Sequence, residues 1–127
     1  MKNYLFVSLG ASLGGVFRYW VSNIVHIFMP ATFPYGTLAV NVMGSFILGF
    51  IIYFLDPNDL IQPHMRTFLT IGFCGAFTTF STFSVETINL LRESEYFLGG
   101  MNILLNLFLS LLAALMAFWM AKIITGG

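Results

Sequence analysis

Charge is scarce in this sequence. Of 127 residues only 8% are charged, five basic and five acidic, so the formal net charge is zero. A soluble domain of this size carries about a quarter charged residues, and so few cannot cover a water-facing surface. The zero balance gives no reason to expect a nucleic acid partner. The single cysteine, Cys74, excludes an internal disulfide and a cysteine-built metal site. Long polar connections are missing too, which leaves no room for an extramembrane domain, and neither a low-complexity segment nor a clear internal repeat is present. The first apolar run lacks a short core followed by a small-residue cleavage site and contains Arg18, so it is not expected to be a signal peptide. What is abundant is hydrophobic side chains, at 58% of the chain. An integral membrane protein follows.

Four apolar segments are long enough to cross a bilayer, which takes roughly 20 helical residues. They run from about Tyr4 to Phe28, Tyr35 to Leu55, Met65 to Leu91 and Tyr96 to Ile124. The separators "MPATFP", "DPNDLIQPH" and "RESE" are turn-rich or charged. The segments lack period-two alternation, which argues against transmembrane strands. The expectation is an all-α membrane protein in which residues 1–127 form a single domain of four transmembrane helices. Basic residues near span ends normally bias orientation. Here Lys2, Arg66 and Lys122 on one side face Arg92, and a snorkelling Arg18, on the other. Three against two is nearly no bias. It fits insertion in both orientations as well as a weakly biased single one. Four helices pack on their own side chains and leave no wide pore, so a conduction path would form most easily at an interface. Small residues mark close-packing faces: Gly10, Gly14 and Gly15, then Gly44, Ser45 and Gly49, then Gly72 and Gly75. Packing inside one subunit explains most of these.

Polar groups cluster where the bilayer should be deepest. "CGAFTTFSTFSVE", Cys74 to Glu86, carries the hydroxyls Thr78, Thr79, Ser81, Thr82 and Ser84, with Phe77, Phe80 and Phe83 spaced by three. The second segment holds Asn41 and Ser45. In the fourth, Asn102, Asn106 and Ser110 recur every four residues and form a polar stripe on one helix face. Arg18 and Glu86 are the charged residues set well inside spans, and no acid lies near the middle of the first, second or fourth. Proton-coupled carriers usually need such an acid. Neutral amides and hydroxyls suit an ion that must bind weakly enough to leave. The plainer reading is that each hydroxyl bonds the carbonyl one turn earlier and each amide joins helices. A spacing of three holds one face only if the helix tightens locally, and Gly72 and Gly75 make irregularity there plausible. A broken helix bares carbonyls that attract cations, while phenyl ring edges carry partial positive charge and attract anions.

The stretches "GFCGAFTTFSTFSVE" and "GTLAVNVMGSFILGF", with "GASLGGVFRYW" in the first span, resemble the Fluc, or CrcB, family of small fluoride channels. The resemblance covers nearly the whole chain. It implies a dual-topology homodimer, two antiparallel copies in a prokaryotic inner membrane, with a third helix broken near its middle and two fluoride pathways. Phe80 and Phe83 would turn their ring edges to the pore, with Asn41 a nearby donor and Ser110 a polar position on the fourth span. Thr79, Ser81 and Thr82 would form a hydroxyl track, and Arg18 and Glu86 would lie toward aqueous vestibules. It also implies a structural Na⁺ on the two-fold axis, held by the backbone carbonyls of Gly75 and Thr78 from each copy. Ala76 stands where many members carry a second glycine, and Asn102 and Asn106 match no strong family position. An enzyme is not implied. Two other readings compete: a small dual-topology drug/proton antiporter, which should carry an acid in its first span, and a non-transporting subunit of a larger membrane assembly.

Overall fold

The structure, a computed structural model, describes residues 2–126. All regular structure among them is helical. Helix α1 spans Lys2–Phe28. Pro30 prevents its continuation, and Phe33, 4% exposed, anchors the connection beside the ring of Tyr35. Helix α2 (Tyr35–Phe50) widens into a π-helical stretch, Ile51–Leu55. Helix α3 (Pro63–Thr67) starts with proline in its first turn, where the missing N–H has no helical partner to lose. It runs on through a second π-helical stretch, Phe68–Cys74, to the short turn Gly75–Phe77. Thr78 and Thr79 are extended; helix α4 (Phe80–Arg92) follows, and helix α5 (Tyr96–Thr125) is capped by Gly126, whose φ of 82° suits glycine.

Among the described residues three helical stretches are long and apolar enough to cross a membrane: Tyr35–Leu55, Pro63–Arg92 and Tyr96–Thr125. Helix α1 has the length, 27 residues, but Ser8, Ser12, Arg18, Ser22, Asn23 and His26 dilute its apolar character. The exposure pattern is inverted relative to a water-soluble domain. Phe108, Leu111 and Ile123 are 59%, 60% and 78% exposed, while the buried residues of α5 are glycine, alanines and asparagines. Large apolar side chains facing outward are what lipid solvates.

Small residues set the two main packing seams. A Cβ on Gly10 would collide with the Phe68 carbonyl, and one on Gly14 with the Phe73 carbonyl. Only glycine lets α1 lie on the backbone of the π-helical stretch. Along the other seam Ala113, Ala117 and Ala121 are buried one turn apart on α5, and a Cβ on Gly49 of α2 would stand 3.0 Å from that of Ala117. The local tightening suggested by the Phe77–Phe80–Phe83 spacing does not occur. The helix before Gly75 is loosened to π geometry and then interrupted. Phe77 stays on the inner side, 2% exposed and stacked on Phe73 at 5.6 Å, whereas Phe80, past the break, is 79% exposed.

Candidate functional site

The break is built from side chains that take over backbone partners. Thr78 donates both its N–H and its hydroxyl to the Cys74 carbonyl, at 3.1 and 3.0 Å. In a continuing helix the Thr79 N–H would reach Gly75; instead it donates to Asn41 Oδ1 at 2.8 Å. Thr79 then caps α4, its hydroxyl oxygen accepting the Thr82 N–H at 3.2 Å and donating to Thr82 Oγ1 at 3.0 Å. The donors four residues after Gly75 and after Thr78 are thus both used elsewhere, and those two carbonyls lose their α-helical partners. The carbonyl of Ala76, between them, accepts Arg18 Nε at 3.0 Å. Glycine at position 44 allows the break to approach α2, since a Cβ there would collide with the Thr78 methyl.

Beside the break lies a groove of about 490 Å³, lined among others by Asn41, Thr79, Phe80, Phe83, Asn106 and Ser110. The rings of Phe80 and Phe83 are 5.5 Å apart and tilted by 53°. None of the lining residues is acidic or basic. Ser110 Oγ is buried with no hydrogen-bond partner among the described residues, an open position at which a ligand could bond. Asn41 Nδ2 donates to the Thr79 carbonyl at 3.1 Å and to Asn106 Oδ1 at 3.0 Å. Asn106 Nδ2 donates to the carbonyl and Oδ1 of Asn102, both at 2.9 Å. Asn102, 0% exposed, donates to Thr87 Oγ1 at 2.9 Å, and Thr87 donates to the Phe83 carbonyl at 2.8 Å.

A second hollow, about 330 Å³, is lined by His26, Glu86, Asn89 and Glu93. His26 Nε2 accepts the Gly36 N–H at 3.2 Å. His26 Nδ1 and Glu86 Oε1 are buried there without partners.

Of the residues singled out in the sequence, Asn41, Thr79, Phe80, Phe83 and Ser110 come together around the groove. Ser81 and Thr82 are not among its lining: Ser81 is exposed and Thr82 serves the cap. Arg18 bonds the break itself, and Glu86 lines the second hollow. Ser84, Thr87 and Thr78 bond a carbonyl four residues earlier, the plain behaviour of membrane hydroxyls. Asn102 and Asn106 were expected at most to join helices, and Thr87 was not singled out. The four-residue spacing of the amides was the available signal for the first two; nothing in the sequence pointed to Thr87.

A family model described as "CrcB-like protein, Camphor Resistance (CrcB)" matches residues 5–118. The chain belongs to the CrcB family. Among its CrcB-family relatives is a protein named fluoride-specific ion channel FluC from Dehalococcoides mccartyi, strain ATCC BAA-2100. It is 40% identical over 124 residues, covering 98% of this chain and 95% of the relative. A protein of the same name from Shewanella baltica, strain OS185, is 47% identical over 111 residues, covering 87% and 89%. Another from Shewanella sp., strain ANA-3, is 45% identical over the same length.

Proposed function

We propose that this CrcB-family chain is a subunit of a passive, fluoride-selective channel rather than an enzyme. The observation that carries the reading is the groove: polarised ring edges and an unpartnered Ser110 hydroxyl beside a helix break, with no titratable lining residue. The names of its relatives support the ion. Fluoride holds water tightly, and neutral donors and ring edges replace part of that shell without trapping the ion. The N–H groups of Asn41 are both engaged, so an anion reaching it exchanges with one of those bonds. The absence of an acid in the groove speaks against the antiporter reading.

In this proposal the whole chain, 1–127, forms one domain with α1 as a fourth span, in a prokaryotic inner membrane. One copy leaves the site incomplete. Phe80 is 79% exposed beside the groove, which favours a second, antiparallel copy covering it. Phe80, Phe83, Ser110, Thr79 and Asn41 then line the fluoride path, and Ser81 and Thr82 flank the break. Arg18 fixes the break, and Glu86 borders a water-filled hollow.

The carbonyls of Gly75 and Thr78 fit a sodium ion, because both have lost their α-helical donors to Asn41 and to the Thr79 cap. Bound there, Na⁺ would supply a fixed positive charge, worth about 1–2 kcal/mol to an anion some 10 Å away at a typical effective dielectric. Purified protein in vesicles loaded with both halides tests the function. Fluoride efflux without chloride efflux is expected, and equal efflux, or none, would reject the channel.

A further inference from the structure

The chain of amides behind the groove runs in one direction only. At one end the Thr79 N–H needs an acceptor, so Asn41 turns Oδ1 to it and Nδ2 toward Asn106. At the other end the one hydroxyl hydrogen of Thr87 goes to the Phe83 carbonyl, so Thr87 can only accept from Asn102. Asn102 must therefore show Oδ1 to Asn106, and Asn106, whose Nδ2 also donates to the Asn102 carbonyl, must show Oδ1 to Asn41. Each amide has one orientation that satisfies both neighbours. The relay starts at the extended residue of the break, crosses α2 and α5, and returns to α4 on the backbone of Phe83, which lines the groove. Thr87 and Asn102, 5% and 0% exposed, are not part of the groove lining.

We infer that Thr87 and Asn102 are positioning residues: they fix the orientation of the Asn41 amide and couple it to the placement of Phe83. The coupling is electrostatic rather than steric. If Asn102 loses the Thr87 hydroxyl and turns over, Asn106 keeps its bond to the Asn102 carbonyl but meets N–H where it had Oδ1, and turning over in response would present N–H to N–H at Asn41. Asn41 must then give up either Asn106 or the break. Buried polar networks behave in this all-or-none way, because a half-satisfied member is costly in a low dielectric. The effect on transport rests on the channel reading above; the relay itself does not.

Valine matches threonine in shape and lacks only the hydroxyl, so Thr87→Val separates the two explanations. Fluoride efflux from vesicles should fall about tenfold in Thr87→Val and in Thr87→Ala, and return to within twofold of wild type in Thr87→Ser. In ¹⁵N-asparagine-labelled protein the side-chain amide signals of Asn41 and Asn106 should shift in the first two variants and hold in Thr87→Ser. Wild-type efflux in Thr87→Val overturns the proposal, as does an equal loss in Thr87→Ser, which would make bulk the cause. Amide signals responding as described in vesicles that never release fluoride would leave the relay standing and remove the channel reading.

Discussion

Replacing Asn41 by alanine orphans three groups at once: the Thr79 N–H, the Thr79 carbonyl and Asn106 Oδ1. Each buried polar group left without a partner costs about 1–3 kcal/mol. Water can enter the groove and serve some of them, so the low end applies, about 3 kcal/mol in all. That strain falls on the break, where the backbone depends on the side chain. If about half of it raises the barrier to permeation, flux falls about tenfold, since ~1.4 kcal/mol is a factor of ten in rate. Asn41→Asp removes the same two donors and adds a charge. It keeps an acceptor for the Thr79 N–H but sets a carboxylate beside the path, and a like charge 4 Å from an anion costs about 4 kcal/mol at an effective dielectric near 20. Fluoride efflux from vesicles should therefore rank wild type above Asn41→Ala and Asn41→Ala well above Asn41→Asp, with size-exclusion profiles unchanged. Asn41→Ala conducting within twofold of wild type would refute the reasoning.

Other substitutions test neighbouring parts of the account. Phe80→Ile and Phe83→Ile remove the polarised ring edge while keeping apolar bulk, and each should slow fluoride efflux sharply; unchanged rates in both would count against ring-edge contact. Gly14→Ala drives a methyl into the Phe73 carbonyl and should lower thermal stability by about 1–3 kcal/mol. Gly15→Ala meets nothing within 4 Å and should be neutral or stabilising by up to about 1 kcal/mol; thermal unfolding in detergent compares the pair. Arg18→Leu strips the Ala76 carbonyl of its donor and should destabilise by about 1–3 kcal/mol, read in the same melt.

The span limits were legible because hydropathy and punctuation coincide. The expected second segment, Tyr35 to Leu55, is the observed stretch, and the fourth ends one residue from the observed Thr125. Irregularity near the break was legible from Gly72 and Gly75, and the break itself from the family resemblance. The π-helical stretch before it was not; it packs on the bare backbone of α1 at Gly10 and Gly14, a contact between helices that no single segment encodes. The groove residues Asn41 and Ser110 stood out as polar atoms in apolar runs. Thr82 stood out equally but is taken up by the helix cap, a local competition that composition does not reveal. The spacing of Asn102 and Asn106 fixed their common face. Which neighbours they meet depends on interhelical register, which no single helix encodes, so the link to Thr87 emerged only from the structure.

The central claim, that neutral groups in the groove pass fluoride passively and reject chloride, is tested most directly by the reversal potential in a planar bilayer. With a tenfold fluoride gradient, symmetric chloride and equal pH on both sides, current should reverse about 59 mV from zero, at the fluoride equilibrium potential. Reversal near zero would mean that chloride permeates freely, and reversal that follows an imposed pH gradient would mean proton coupling; either result contradicts the account.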